Sequence, residues 1–232
     1  MLGTLLKRAV SIVITRPRVL RIIIGFSLLK LCLYRQVWDI AAASDPKRYI
    51  LSADVQDDPA SEFEDLGKTH AKLISPLIDE NSVVLDFGIG SGRVERYLPK
   101  CKRLVGVDIS PRMLRLARER LESLEQVSLI RIGRDFTLSD TSFDFVFSLG
   151  VLHHMPEAEA RRILDRLIKS LKHGGSFYFT VSGVRPKSWL DSTYQSYDVM
   201  RARHLLPPEG IIVSIEDDGD ITVIGHRAHS AK

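Results

Sequence analysis

The chain has 232 residues, which suits one α/β domain with an extension. An apolar share of 44% and a charged share of 27% are those of an ordinary globular protein and exclude disorder of the whole chain. The net charge of +4 is unevenly placed: Lys7, Arg8, Arg16, Arg18, Arg21, Lys30 and Arg35 precede any acidic residue, and the chain from Asp39 onward carries −3. A mildly acidic body argues against nucleic acid as a partner. The two cysteines, Cys32 and Cys101, offer neither a disulfide framework nor metal-ligand spacing, which fits a reducing compartment.

Residues 1–36 read as a basic, apolar helical extension. Leu2, Leu5, Leu6, Ala9, Val10 and Val13 recur at helical spacing, and Pro17 interrupts the pattern by disfavouring helix at Arg16. From Val19 to Leu33 the chain is apolar on nearly every side, but Arg21 and Lys30 cut the run below the ~20 residues that span a bilayer. Arginine within the apolar stretch also argues against a secretory signal, and sparse serine against a mitochondrial presequence. Two readings stand: an interfacial helix on an anionic membrane, or helices that pack on the domain or on a second copy. The expected location is cytoplasmic, with peripheral membrane contact through residues 1–36 under the first reading. Residues 37–65, with Asp45-Pro46 and Asp57-Asp58-Pro59, read as a linker or loosely helical lid.

Residues 66–232 alternate strand and helix signals. A helical run around Gly67–Leu77 precedes a buried strand, Val83-Val84-Leu85-Asp86, a glycine-rich turn, and an expected helix through about Pro99. Leu104–Asp108 is a second strand. Ser110 then caps a helix whose first residue is Pro111, with Met113, Leu114, Ala117, Leu121 and Leu124 on its apolar face. Val127–Ile130 and Phe143–Leu149 are the third and fourth strands. A helix from Pro156 buries Ile163, Leu164, Leu167, Ile168 and Leu171, and Gly174-Gly175 is expected to end it before a strand over Ser176–Val181. Ile211–Ile215, the turn Asp217-Asp218-Gly219-Asp220 and Ile221–Ile224 read as an antiparallel hairpin. The expected fold is therefore α/β: an open, doubly wound, mostly parallel seven-stranded sheet with a terminal antiparallel hairpin and an N-terminal helical extension.

Glycines at 88, 90 and 92 after a strand allow a tight turn and close approach of backbone to a ligand. Asp108 ends the second strand where a carboxylate accepts hydrogen bonds from ribose hydroxyls. A dinucleotide fingerprint, G-x-G-x-x-G/A, would need a small residue at position 93, which is Arg. An acid at Asp86 is also badly placed beside a pyrophosphate and well placed for a ligand amino group.

These segments together resemble the class I (seven-stranded) methyltransferases, notably those acting on small molecules and lipids. The matching stretches are VVLDFGIGSGR at 83–93, VGVDIS at 105–110, SFDFVFSLGVLHHM at 142–155 and LKHGGSFYFTVSG at 171–183. The resemblance implies S-adenosylmethionine as cofactor, its methionine end on Gly88, Gly90 and Gly92 and its amino group near Asp86. It implies Asp108 on the ribose, Ile109 on the adenine, Asp135 with Phe136 near the adenine amino group, and Leu149 in the same pocket. Asp135 follows an unusual Gly133-Arg134-Asp135 order, so a solvated loop acid is the competing reading there.

His153 and His154 follow the fourth strand and face the expected reaction site. Either could take a proton from a hydroxyl nucleophile; packing beneath a loop is the competing reading. A His-His metal site lacks further ligands, so no metal is expected. Tyr194, Tyr197 and His204 are candidates for the acceptor pocket, with Trp38 and Tyr49 closing it. The function expected is methyl transfer to a small-molecule, lipid or sugar acceptor. A nicotinamide-dependent oxidoreductase and a non-catalytic S-adenosylmethionine-binding scaffold are the alternatives.

Overall fold

The computed structural model describes residues 38–39, 42–43, 59–133, 136–183, 196–217 and 220–229. The extension 1–36, Tyr49, Asp135, Tyr194 and the hairpin centre Asp218-Gly219 lie outside the described residues.

Seven strands form one sheet: β1 (Val83–Phe87), β2 (Arg103–Asp108), β3 (Val127–Arg131), β4 (Phe143–Ser148), β5 (Leu171–Ser182), β6 (Gly210–Asp217) and β7 (Asp220–Arg227). Their spatial order is β3-β2-β1-β4-β5-β7-β6. The first five are mutually parallel, and β7 runs antiparallel to both β5 and β6. This is the open, mostly parallel sheet with a terminal antiparallel pair that the sequence predicts. Chain order reverses between β1 and β4, so their carboxyl ends border a crevice of the kind that takes ligands in such sheets.

Alternation along the strands sorts the core onto two faces. Leu85, Phe87, Val105, Val107, Val146, Phe177 and Phe179 pack on one side with helix α3 (Glu157–Ser170), whose Ile163, Leu164, Leu167 and Ile168 are buried. Val84, Leu104, Phe145, Phe147 and Tyr178 pack on the other, with α1 (Pro59–Ile74) and α2 (Pro111–Arg120). A short fourth helix, α4 (Val199–Arg203), packs on the β7 side of the sheet.

Several boundaries differ from expectation. The helix α1 begins at Pro59, inside the segment read as linker or lid. The α-helix expected after the glycine turn does not form; turns lead into a single 3-10 turn, Glu95–Tyr97. Gly88, Gly90 and Gly92 hold φ of 92°, 56° and 75° within the turn itself, and the extended Leu98 before Pro99 ends the segment after one 3-10 turn. Gly174-Gly175 do not stop α3. That helix ends at Ser170, and the glycines lie inside β5 in an irregularity where pairing jumps from Phe143↔Leu171 to Phe145↔Ser176. The positive φ of Gly174, 78°, suits a bulge as well as a helix end, which is why the pattern misled.

Candidate cofactor site

The glycine turn is fastened to the neighbouring strand. Gly88 and Ile89 both donate backbone N–H groups to the Val107 carbonyl, at 2.8 and 3.1 Å. A Cβ at Gly88 would stand 2.3 Å from Val151 Cγ2, so glycine is required there by both conformation and space. Gly106 serves the same turn from β2: a Cβ on it would meet Ile89 Cδ1 at 2.2 Å.

Asp108, at the end of β2, is buried and accepts from Gly90 N at 2.9 Å and Ser110 N at 2.8 Å. Burial nonetheless pushes its pKa up to about 6, because loss of water outweighs those hydrogen bonds. Ser110 accepts from Met113 N at 3.2 Å as the N-cap of α2 and donates to Asp39 Oδ1 at 2.6 Å. Asp39 Oδ1 and its carbonyl also receive Arg112, so Asp39 lies over the α2 N-terminus beside Asp108. Ile109 next to it and Leu149 beyond β4 are half-buried.

Asp86 is fully enclosed beneath the turn. Burial, with Glu95 and then Asp108 nearby, raises its pKa well above the usual carboxylate range. Glu95 is buried too and hydrogen-bonds with Asp86. Sequence reasoning missed Glu95: an acid three residues past the last turn glycine gives no sign of pointing inward. Arg93 lies behind it, with the guanidinium 5.4 Å from the Phe63 ring of α1. Arg93 is thus an anchor between turn and α1, where Arg120 joins it over the other approach to Phe63 at 5.2 Å and pairs with Glu64.

Phe136 packs on Phe87 with ring centroids 5.5 Å apart, and Arg166 donates to its carbonyl at 2.8 Å. The two histidines lie side by side after β4, 4.3 Å between ring centroids, in a 3-10 turn spanning Leu152–His154. Ser182 N donates to His153 Nδ1 at 3.2 Å, which puts the proton of the neutral ring on Nε2. Burial pushes the His153 pKa down to about 4 and, together with His153, holds His154 well below the ordinary value. Trp38 meets His154 edge-on at 4.9 Å, so the N-terminal side does reach the end of β4. Tyr197 is buried, and its hydroxyl has no hydrogen-bond partner among the described residues; His204 is exposed, with Nδ1 2.6 Å from the Met200 carbonyl. No cluster of metal-ligating side chains occurs among the described residues.

Residues 84–175 match the family described as a methyltransferase domain. This match supports a class I S-adenosylmethionine-dependent methyltransferase domain over these residues. An O-methyltransferase of ubiquinone biosynthesis from Idiomarina loihiensis is 31% identical over 159 residues, 64% of this chain and 62% of that one. A demethylmenaquinone methyltransferase from Tropheryma whipplei is 28% identical over 132 residues, 56% of this chain and 52% of the relative. The chain thus spans less than two thirds of the length of these relatives. Among solved structures, the N-methyltransferase NodS of Bradyrhizobium japonicum, in complex with S-adenosylhomocysteine, superposes with a TM-score of 0.65 at 20% identity. That alignment covers 83% of this chain and 97% of NodS, and the likeness establishes the fold.

The methyltransferase site fits the family's cofactor on its own geometry. Gly88 lets the turn pass directly against Val151, and Asp108 ends β2 as a buried carboxylate that accepts two backbone N–H groups. Ser91 Oγ and Glu95 Oε2 are sealed polar atoms with no partner among the described residues.

Proposed function

We propose that this chain transfers the methyl group of S-adenosylmethionine to a small organic acceptor by in-line displacement. The observation that carries the reading is the pairing of a side-chain-free turn at Gly88 with the buried Asp108 carboxylate, both at the switch between β1 and β4. The cofactor supplies a methyl group already activated by its sulfonium; the protein aligns donor and acceptor and keeps water out. Asp108 accepts from the ribose hydroxyls, Asp86 faces the amino group, and Ile109, Leu149 and Phe136 shape the adenine side.

His153 and His154 form the wall at the carboxyl end of β4. A ring that takes a proton only near pH 4 is a weak base at neutral pH, and Nδ1 of His153 is already committed to Ser182. The site therefore suits an acceptor that is already nucleophilic, such as an acidic hydroxyl or an activated ring carbon. The named relatives of ubiquinone and menaquinone biosynthesis favour a quinone-like acceptor. Membrane contact through residues 1–36 would bring such an apolar acceptor to the site. Among the described residues no helix is long and apolar enough to cross a membrane.

The test is release of S-adenosylhomocysteine from S-adenosylmethionine in the presence of hydroquinones, phenols and polar lipids. Turnover with one class supports the reading. Tight cofactor binding with no turnover on any acceptor favours a scaffold, and preference for NAD(H) favours an oxidoreductase.

A further inference from the structure

Glu95 has no part in the reading above, yet it is enclosed with Asp86 beneath the turn assigned to the amino-acid end of the cofactor. It is 2% exposed against 3% for Asp86, and the two carboxyl groups hydrogen-bond to each other. Such a bond needs one proton, since two carboxylates have no donor between them. Glu95 Oε2 is meanwhile shut off from solvent with no donor beside it among the described residues. Backbone N–H groups of Val94 and Glu95 reach the Glu95 carboxyl, yet Oε2 stays without a donor among the described residues, and a ligand ammonium brings three.

We infer that Glu95 is a positioning residue for the cofactor's α-amino group: Asp86 and Glu95 share one proton, and a ligand ammonium takes that proton's place between them. The proton leaves to solvent, both carboxyls become carboxylates, and the ammonium N–H groups donate to them. Only the O–H bond of the shared proton breaks, and solvent takes that proton. The inference rests on the cofactor reading above and extends it to a second acid and to a pH dependence.

The surrounding charges bias where the shared proton sits. Asp86 faces Glu95 and, from β2, Asp108, both of which oppose its ionisation. Burial raises the Glu95 pKa as well, but Asp86, its own and the Val94 backbone N–H, and Arg93 favour its ionised form. Arg93 in turn faces Glu64 and His70 of α1 and Arg120 of α2. His70 is held neutral by burial and by Arg93, with its pKa near 4, so it adds no charge at neutral pH. These groups favour Asp86 as the protonated partner and Glu95 as the carboxylate that accepts from it.

Two ligands separate this from the general cofactor reading. S-adenosylhomocysteine carries the α-amino group; 5′-methylthioadenosine carries the same adenosine without it. Calorimetry of the full chain in buffers of different ionisation enthalpy counts protons released on binding. On the acid side of the pair's titration, S-adenosylhomocysteine should release about one proton more than methylthioadenosine, and its affinity should rise about tenfold per pH unit. Subtracting methylthioadenosine removes any contribution from Asp108, which both ligands engage through ribose. In Glu95→Gln the amide donates to Asp86, leaves it ionised, and should abolish the extra proton while keeping binding measurable. Asp86→Asn should also abolish it, which covers the case where Glu95→Gln does not fold. Equal proton counts for the two ligands in the wild type, or an undiminished extra proton in Glu95→Gln, overturn the inference while leaving the cofactor reading intact. Absence of S-adenosylhomocysteine binding at every pH overturns both.

Discussion

Replacing Gly88 by alanine should damage the fold and the site through two separable effects. The residue holds φ 92°, and an L side chain in that region costs about 1–2 kcal/mol. Its Cβ would also lie 2.3 Å from Val151 Cγ2 and 3.1 Å from Cγ1, an overlap costing about 1–3 kcal/mol if the neighbour has to shift. Together these predict a loss of about 2–5 kcal/mol, which lowers Tm by roughly 10 °C in a chain of this size. Truncating Val151 separates the effects. Val151→Ala alone costs about 1–2 kcal/mol for a half-buried side chain, yet it removes the atoms that alanine 88 would strike. The double variant should therefore be about as stable as Gly88→Ala alone, with a favourable coupling of about 1–3 kcal/mol in urea unfolding. S-adenosylhomocysteine affinity should recover only in part, because the backbone strain remains. Additive effects would show that Val151 is not the obstacle and would refute the close-approach explanation for glycine.

Two further outcomes follow from the same geometry. Acidification should unfold the protein in part through His153: its ring protonates near pH 4 when folded and near 6.5 when unfolded, so the unfolded state binds the proton first. That removes about 3 kcal/mol of stability as pH falls from 6.5 to 4. His153→Gln keeps an acceptor for Ser182 N without titrating, and its stability should fall by that much less over the same interval. Asp108 works in the opposite sense, its raised pKa favouring the folded state as pH falls below about 6, but it is common to both proteins and cancels in the comparison. A parallel loss in the two proteins would show that the ring does not carry the effect. Ser110→Ala removes both the α2 cap and the bond to Asp39, and should cost about 1–2 kcal/mol as a lower urea midpoint at unchanged m. An unchanged midpoint would mean that water replaces the cap without penalty.

The strands were legible because each is a short apolar run with β-branched or aromatic residues, and the Ser110-Pro111 helix start because its cap chemistry is local. The turn glycines were legible as a backbone requirement, but the single 3-10 turn that follows them, ended by extended Leu98 before Pro99, was not. Local pattern misjudged Gly174-Gly175 because a helix end and a strand bulge ask for the same positive φ. Glu95 was illegible for a different reason. Its burial depends on Asp86 and Arg93 meeting it in space, and nothing in the spacing Val94-Glu95-Arg96 distinguishes an inward acid from a solvated one. The histidines were found, but not their state, since the tautomer of His153 is set by the backbone of Ser182 on another strand.

The account stands most directly on Asp108, and one titration series tests it: S-adenosylhomocysteine and NAD(H) against the wild type and Asp108→Ala. S-adenosylhomocysteine should bind the wild type, NAD(H) should not, and the variant should lose about tenfold or more in affinity with the charged hydrogen-bond acceptor gone. Preference for NAD(H), or an unchanged S-adenosylhomocysteine affinity in Asp108→Ala, would contradict it.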